Sequence, residues 1–325
     1  MKSFWQDLKK PFFVLAPMAD VTDPAYRKLI AETGRPDVTW TEFVSADGLY
    51  HTREMKKLKD EDNPLVRDLL FTEGERPILA QIFGSNPDTI GYASKLAADL
   101  GFDGVDINMG CPDRSIEKQG AGAAMMKHPE DAPAIISAAK ASGLPVSVKT
   151  RIGYNKEEMD TWLPVLLKEN LAALTVHLRT RKEMSLVPAH WDLAHRVVEL
   201  RDTYAPETLV LGNGDVKTLA EAKEKIEQSG MDGIMLGRAI FGNPWLFTDR
   251  NAEDISPRER LEMIGRLAEN FDELQPRKSF HLLKKHFKAF VNGWAGASEL
   301  RGSLMEANSL EELRERLRNA TELLG

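Results

Sequence analysis

The single cysteine of the chain, Cys111, is its most distinctive candidate for a functional side chain. The alternative interpretation is a small buried hydrophobic residue, which is the commonest role of a free cysteine. Cys111 lies between Gly110 and Pro112, and the proline fixes φ and removes a backbone donor, which predicts a loop rather than the middle of a strand. Gly120, Gly122 and several alanines follow, so we expect a mobile loop. This context favours a functional thiol.

Polar side chains follow most of the short apolar runs of the sequence, where predicted strands end. These residues are Gln81, Asn108, Lys149, Arg151, His177, Arg179, Asn213, Asp215 and Arg238. Each has an ordinary interpretation, such as a solvated lysine, a structural histidine or a turn. In a barrel of parallel strands, however, the carboxyl ends of the strands share one face, and that face carries the active site. The joint pattern therefore favours a site.

The loops after the predicted seventh and eighth strands contain Gly212, Gly214 and Gly237. Because glycine lacks a Cβ, backbone N–H groups in such loops can approach a ligand closely. Arg238 adds a fork of donors that matches phosphate oxygens. These two loops form the usual phosphate site of a barrel. The sequence therefore predicts a phosphorylated cofactor or substrate.

A flavin is one cofactor that these polar residues would suit. Gln81, Lys149 and His177 could hydrogen-bond the polar rim of its ring system. A lysine near the N1–C2 edge would stabilise the negative charge of a reduced flavin.

Short apolar runs alternate with helical segments and must position these residues. Strands are predicted at residues 12–16, 38–44, 78–82, 105–108, 146–150, 174–177, 209–212 and 233–236. Helices are predicted at residues 24–34, 86–101, 129–142, 156–170, 191–204 and 218–229, with a charge-rich, exposed excursion at 51–76. This alternation predicts an α/β fold of the (β/α)8 TIM barrel type. A doubly wound open sheet is the alternative, weakened because no GxGxxG motif follows the first strand.

No strand is predicted from Ser256 onward. A helix is expected from Ser256 to Leu274, and two more at residues 276–293 and 309–324. We therefore divide the chain into a barrel over residues 1–250 and a small all-helical C-terminal domain over residues 251–325. The length of 325 residues fits one large α/β domain with such an appendage.

The composition excludes several classes of protein. A total of 43 Lys and Arg against 50 Asp and Glu gives a formal charge of −7, which excludes a uniformly basic surface but not a local basic patch. One cysteine permits no intrachain disulfide. No apolar run reaches the roughly 18 residues that span a bilayer, and the first ten residues lack the apolar core of a signal peptide. We expect a cytoplasmic protein with no membrane segment and no metal site.

Several motifs, in order along the chain, resemble those of the tRNA-dihydrouridine synthase family. They are residues 16–23 (APMADVTD), 106–112 (DINMGCP), 148–151 (VKTR), 177–181 (HLRTR), 212–215 (GNGD) and 236–238 (LGR). Residues 284–287 (KKHF) and 296–301 (GASELR) are similar to the family's helical RNA-binding domain. The resemblance covers nearly the whole chain. Its specific part is the Asn-x-Gly-Cys-Pro motif with the later Lys149 and His177.

The resemblance implies an FMN enzyme that reduces uridine in tRNA to 5,6-dihydrouridine with NADPH. Hydride would pass from FMN N5 to uracil C6, and Cys111 would give a proton to C5. A thiol with the ordinary pKa of about 8.5 is mostly protonated at neutral pH and can act as that acid. The residues that the resemblance assigns to FMN are Pro17, Met18, Ala19, Gln81, Asn108, Lys149, His177, Asn213, Gly214, Asp215, Gly237 and Arg238. Asn108 and Arg151 would face the uracil and the flavin.

Two basic clusters are candidates for contacts with RNA phosphates. The first is Arg277, Lys278, His281, Lys284, Lys285, His286 and Lys288, with no acidic residue between them. The second, at the predicted barrel mouth, is Arg179, Arg181 and Lys182. On a helix, residues 281, 284, 285 and 288 share one face, which on its own could be merely solvated. The family resemblance favours RNA binding, with an affinity that depends on salt.

Other interpretations remain open. A small-molecule FMN oxidoreductase of the dihydroorotate or dihydropyrimidine dehydrogenase type would not need a helical domain with a basic face. A synthase acting on ribosomal RNA and a non-catalytic RNA-binding barrel are further alternatives. The chain departs from the common family pattern at residues 182–185 (KEMS), which bears on RNA contacts rather than on the FMN site, and at 113–116 (DRSI), which bears on the target position. Nothing in the sequence requires more than a monomer.

Overall fold

A computed structural model describes residues 3–248, 250 and 252–323 of the chain. Short parallel strands form a barrel at its centre. They are β1 (Phe12–Leu15), β2 (Thr39–Trp40), β3 (Val44–Ser45), β4 (Ile78–Phe83), β5 (Gly104–Asn108), β6 (Val146–Arg151), β7 (Ala173–His177), β8 (Leu209–Asn213) and β9 (Gly233–Leu236). The strand order is β1-β9-β8-β7-β6-β5-β4-β2, and a bridge between Val14 and Val38 brings the two ends of the sheet together. The predicted barrel is confirmed, and the doubly wound open sheet was wrong.

The second strand position of the barrel is occupied by two short strands, β2 and β3. The prediction of one strand over residues 38–44 was therefore wrong. β2 and β3 both pair with β4 but leave residues 41–43 between them. There the Thr41 hydroxyl accepts a hydrogen bond from the Gln81 N–H at 3.0 Å and donates to the Glu42 carbonyl at 2.8 Å. The Thr41 hydroxyl thus accepts a bond from the Gln81 N–H, while the Thr41 N–H still donates to the Leu79 carbonyl at 3.0 Å.

Helices connect the strands and cover the outside of the barrel. They are α1 (Pro24–Gly34), α2 (Ala46–Tyr50), α3 (Pro64–Arg67), α4 (Pro87–Asp99), α5 (Arg114–Glu117), α6 (Ala132–Lys140), α7 (Met159–Leu167), α8 (Ala194–Tyr204) and α9 (Leu219–Ser229). Asp23 caps α1 through the Tyr26 N–H, with Pro24 in the first turn, as the sequence predicts. The excursion at 51–76 contains α3 and buries Val66 and Leu69, so it is not uniformly exposed.

Four helices complete the described part of the chain. They are α10 (Pro257–Asp272), α11 (Lys284–Phe290), α12 (Ala297–Glu306) and α13 (Leu310–Leu323). Ser256 and Glu259 form the capping box that begins α10. The helix predicted at 276–293 was wrong at its start, because residues 276–279 are not helical, and α12 was not predicted. The predicted last residue of the final helix, Leu324, lies outside the described residues.

The barrel and the C-terminal helices share one hydrophobic core. Tyr26 and Leu29 of α1 belong to the same buried cluster as Ile264 of α10 and Phe287 of α11. The division at residue 250 therefore stays a prediction, and its neighbours 249 and 251 lie outside the description. No described helix is long and apolar enough to cross a membrane.

Candidate active site

A cavity of about 950 Å³ opens at the carboxyl ends of the strands. The predicted site residues that line it are Pro17, Met18, Lys149, His177, Arg179, Asn213, Gly214, Asp215, Gly237 and Arg238. The others lie beside this lining, namely Ala19, Gln81, Asn108, Cys111 and Arg151. Strand register explains the grouping, because Asn108 is paired with Lys149 and His177 with Asn213. The loops predicted to carry chemistry therefore do meet at one face.

Lys149 is a half-buried cation that lines the cavity. Its Nζ lies 3.2 Å from Asn213 Oδ1, and the Asn213 amide nitrogen donates to the Met235 carbonyl at 2.7 Å, which fixes the amide's orientation. Burial, together with the charge of Arg151, lowers the pKa of Lys149 to about 8. The lysine is therefore largely charged at neutral pH, yet it would be stabilised by an anionic ligand.

His177 is a neutral hydrogen-bonding residue in this cavity. Burial and the nearby cations Arg151, Lys149 and Arg179 lower its pKa well below 6.5. Arg179 Nη1 lies 3.1 Å from His177 Nε2, and a guanidinium can only donate. Nε2 is therefore the acceptor, and the imidazole proton lies on Nδ1.

Asp215 organises the two arginines at the rim. Its carboxylate accepts hydrogen bonds from Arg179 and, at 2.6 Å, from Arg238 Nη2. The hydrogen bond from Arg179 is the main cause that lowers the pKa of Asp215. The Asp215 carboxyl is therefore ionised at neutral pH. The Arg238 side chain is 65% exposed and can reach a ligand, whereas that of Arg179 is 3% exposed.

Backbone donors on the same side of the cavity are open to a ligand. Among the described residues, none accepts a hydrogen bond from the N–H of Gly214, Asp215, Gly237 or Arg238. Gly214 has a φ of +136°, and a Cβ there would lie 2.6 Å from the Cβ of Ala189. These donors and Arg238 form an arrangement that suits phosphate oxygens.

The loop that carries Cys111 is fixed by a side chain of β5. Asn108 Oδ1 accepts from the N–H of Gly110 at 3.1 Å and of Cys111 at 2.9 Å. Its Nδ2 donates to Gln81 Oε1 at 3.1 Å. Burial raises the pKa of the Cys111 thiol, which keeps it protonated at neutral pH.

A buried carboxyl group, Asp106, anchors this network from below. It accepts from Gln81 Nε2 at 2.6 Å and from Ser147 Oγ at 2.5 Å. Burial raises the pKa of Asp106. Asp106 was not among the predicted site residues. Its position two residues before Asn108 on the same strand, and so on the same face, was the signal available.

Arg151 supports the loops on either side of it. Its Nε donates to the Gly110 carbonyl at 2.8 Å, and its Nη1 donates to the carbonyls of Thr180 at 3.2 Å and Met184 at 3.1 Å. The side chain is buried, and burial lowers its pKa to about 10. The structure therefore gives Arg151 a supporting position under the Cys111 loop.

Residues 121–126 after Cys111 are buried, whereas residues 113–115 and 118–120 are exposed, and the mobility of this loop stays a prediction. The Ala123 N–H donates to the Cys111 carbonyl at 2.9 Å. Gly122, with a φ of +60°, lets these backbones meet, because a Cβ there would lie 2.8 Å from the Cys111 oxygen. Residues 121–126 are buried, since their small side chains pack against the barrel.

The divergent loop over residues 182–190 borders the cavity, so its departure from the family pattern concerns this cavity as well as the predicted RNA contacts. Ser185, Leu186, Val187 and Pro188 belong to the cavity lining. Leu186 is 86% exposed. Trp191, also not predicted, donates from Nε1 to the Gly214 carbonyl at 2.8 Å and so connects this loop to the β8 loop.

Several residues predicted to contact RNA are occupied within the protein. Arg179 is buried against Asp215, and Arg181 Nε donates to Glu117 at 2.7 Å. Lys278 lies in buried ion pairs. His286 is buried against Tyr26, and burial lowers its pKa to about 3. The predicted surface role of Arg179, Lys278 and His286 was therefore wrong. Arg181, whose side chain is 23% exposed, remains a predicted RNA contact.

The remaining basic residues stay available at the surface. Lys182, Arg277, His281 and Lys288 are exposed. Lys284 and Lys285 are half-buried, and Lys284 Nζ lies 3.2 Å from Asn308 Oδ1. The single helix face predicted for residues 281–288 is shortened, because α11 begins only at Lys284.

Fold and site together define a (β/α)8-barrel protein with a cationic, phosphate-compatible cavity beside a protonated thiol. No group of three or more His, Cys, Asp or Glu side chains in the described part of the chain could hold a metal ion.

Comparison with known proteins identifies the family. The sequence profile described as dihydrouridine synthase (Dus) matches residues 14–324. A probable tRNA-dihydrouridine synthase 2 of Bacillus subtilis (strain 168) is 42% identical over 316 residues, covering 96% of this chain and 95% of the relative. A probable tRNA-dihydrouridine synthase of Staphylococcus epidermidis is 42% identical over 320 residues, covering 97% and 95%. The chain belongs to the dihydrouridine synthase family, whose members are oxidoreductases.

Solved structures support the fold alone. A 2-naphthoyl-CoA reductase complex superposes with a TM-score of 0.52 at 8% identity, covering 72% of this chain and 49% of that one.

Proposed function

We propose that this protein reduces uridine in tRNA to 5,6-dihydrouridine, with FMN as its cofactor and NADPH as the reductant. One observation carries the proposal. At the same barrel mouth lie hydrogen-bond donors available to a phosphate, the Lys149 side chain and a loop with the protonated Cys111 thiol. Relatives at 42% identity carry the name tRNA-dihydrouridine synthase, which supports the choice of reaction and of substrate.

The donor set of the cavity fits FMN. Arg238 and the N–H groups of the β8 and β9 loops would hold the phosphate. Lys149, His177 and Asn213 would meet the polar edge of the ring system, which requires both donors and acceptors. Pro17 and Met18 supply apolar lining on the β1 side. When bound, the flavin supplies the hydride that adds to uracil C6.

Cys111 provides the proton that this addition requires. Negative charge develops at C5 and O4 of the uracil, and a general acid must protonate C5. Burial keeps the thiol protonated, and Asn108 fixes the backbone that carries it. Because the target base must approach both the cavity and the thiol, it has to leave its stack.

The tRNA would lie across the basic residues that remain exposed. Lys182 at the barrel mouth and Lys288 on α11 are exposed and would contact the tRNA phosphates. Lys284 and Lys285 are half-buried and would contribute less. Contacts with phosphates add affinity that weakens with salt. A tRNA substrate implies a cytoplasmic protein, and we propose that it acts as a monomer.

The proposal is tested by mapping dihydrouridine at nucleotide resolution. Bulk tRNA and ribosomal RNA from cells that lack the modification, and free uridine, are each incubated with purified, FMN-containing protein and NADPH. We expect new dihydrouridine at one or a few positions. Product on ribosomal RNA only, or on free pyrimidines only, would contradict the tRNA assignment. A protein that takes up no FMN would contradict the cofactor assignment.

A further inference from the structure

A lysine from the C-terminal region is buried at the seam with the barrel. Lys278 lies in the non-helical segment between α10 and α11, and its side chain is only 5% exposed. Its Nζ is 3.2 Å from Glu42 Oε2 and 3.0 Å from Asp68 Oδ1. The Pro276 carbonyl accepts a hydrogen bond from Arg67 Nη1 at 3.0 Å, which holds the same segment against α3.

The second oxygen of Glu42 reaches the loop that follows β1. Its Oε1 accepts a hydrogen bond from the Asp20 N–H. Asp20 has a φ of +55°, in the left-handed region that few non-glycine residues adopt and that aspartate tolerates better than most. Pro17 and Met18, just before it, line the cavity. The contacts thus run from Lys278 through Glu42 to the loop that lines the cavity.

The arrangement depends on charge pairing. The side chains of Lys278 and Glu42 are only 5% and 7% exposed, and Asp23 and Lys285 lie close enough to contribute to the field at this seam. Leaving one partner of a buried ion pair alone is far more costly than replacing both, because the remaining charge has lost its solvation. Loss of Lys278 would therefore displace Glu42 and release the Asp20 N–H.

We propose that Lys278 is a positioning residue of the flavin site, acting through Glu42 to hold residues 17–20 in the conformation that lines the cavity. The C-terminal region is then part of the cofactor site as well as a platform for RNA. The identification of the ligand as FMN rests on the proposed function. The positioning of residues 17–20 by Lys278 and Glu42 does not.

Four variants separate the contributions. Lys278→Met leaves Glu42 unpaired, and Glu42→Ala removes both contacts. Glu42→Gln keeps an acceptor for the Asp20 N–H without the charge. The double variant Glu42→Gln/Lys278→Met leaves no unpaired charge between the two positions. Lys223→Met, at an exposed position of α9 outside the cavity lining, is the matched control.

Two readouts are measured on each full-length variant. The first is hydrogen–deuterium exchange of a peptide covering residues 16–23 in the flavin-free protein. The second is the dissociation constant for FMN, from quenching of FMN fluorescence. For Lys278→Met and Glu42→Ala we expect at least roughly tenfold faster exchange at the loop and a roughly tenfold higher dissociation constant, about 1.4 kcal/mol. The double variant should bind FMN more tightly than Lys278→Met, and Lys223→Met should match the wild type.

The outcomes distinguish this inference from the proposed function. Unchanged loop exchange in Lys278→Met and Glu42→Ala would overturn the positioning role, even if both variants were less stable. Faster loop exchange with an unchanged FMN constant would overturn the link to the flavin site. A wild type that binds no FMN would overturn the proposed cofactor, while loop exchange would still decide the positioning role. If Lys278→Met does not fold, a double variant that also fails to fold would contradict the pairing, and unchanged loop exchange in Glu42→Ala would overturn the positioning role.

Discussion

On the side of the barrel mouth formed by β4, β5 and β6, polar side chains form hydrogen bonds with one another. On the side formed by β7, β8 and β9, several hydrogen-bond donors at the cavity have no acceptor among the described residues. Gln81, Asn108 and Asp106 form a closed network on the first side. On the second side, the N–H groups after β8 and β9 and the exposed Arg238 have capacity left for a ligand.

The difference shows how one fold separates two tasks. In the proposed function, the hydrogen bonds of the first side hold the Cys111 loop, as a general acid would need because its position must be fixed before the reaction. The donors of the second side would bind an anionic group of the ligand. Lys149 links the two sides of the mouth, because it belongs to β6 and its Nζ lies 3.2 Å from Asn213 Oδ1 of β8.

The largest expected effect comes from removing the thiol on the first side. Cys111→Ala should lower the rate of dihydrouridine formation by about a hundredfold or more, the usual contribution of a general acid, and leave FMN binding unchanged. Steady-state assays on unmodified tRNA, with the FMN content of each preparation, measure both. NADPH oxidation by oxygen is the internal control and should persist. Turnover at the wild-type rate would remove Cys111 from the mechanism.

The residue that links the two sides should give a pH dependence. Because the pKa of Lys149 is lowered to about 8, its charge is present below that pH and is lost as pH rises through it. FMN affinity of the wild type should therefore fall by up to about tenfold between roughly pH 7 and pH 9. Lys149→Met should bind weakly at both values, with little pH dependence. The same decline in Lys149→Met would assign the titration to another group.

A smaller effect is expected from the open side. Arg238→Ala should raise the FMN dissociation constant about five- to tenfold, because it removes an exposed charge-assisted hydrogen bond. The matched control is Lys223→Ala, at an exposed position of α9 that does not line the cavity. Fluorescence titration measures both. Equal affinities for the two variants would show that this rim does not hold the phosphate.

The smallest effect concerns the surface outside the mouth. Lys284→Glu combined with Lys288→Glu should weaken tRNA binding several-fold at moderate salt and flatten the dependence of affinity on salt concentration. FMN content should stay that of the wild type. Lys95→Glu, at an exposed position of α4, is the control. An unchanged salt series for the double variant would remove α11 from the RNA-binding surface.

Much of the barrel could be predicted, because buried parallel strands are short apolar runs with recognisable ends. β9 has the predicted bounds, and α1 begins and ends where its cap and glycine indicate. The split between β2 and β3 could not be predicted, since it depends on a hydrogen bond between Thr41 and Gln81, which are distant in the chain.

The candidate site shows the same limit. Lys149 and His177 could be placed because residues at strand ends share one face of a barrel. Lys278 could not, since its partners Glu42 and Asp68 lie more than 200 residues away and the local sequence shows only a basic run. Ion pairing between residues far apart in the chain therefore decides whether a charged side chain is exposed at the surface or buried in a structural role.

The most direct test of the account is a single turnover without oxygen. FMN-loaded protein is reduced with NADPH, freed of excess reductant and mixed with tRNA lacking dihydrouridine, and the flavin absorbance is followed. The account predicts rapid return of the oxidised spectrum in the wild type, with one dihydrouridine formed per flavin, and a reduced flavin that persists in Cys111→Ala although tRNA still binds. Reoxidation by tRNA at the same rate in both proteins would contradict it.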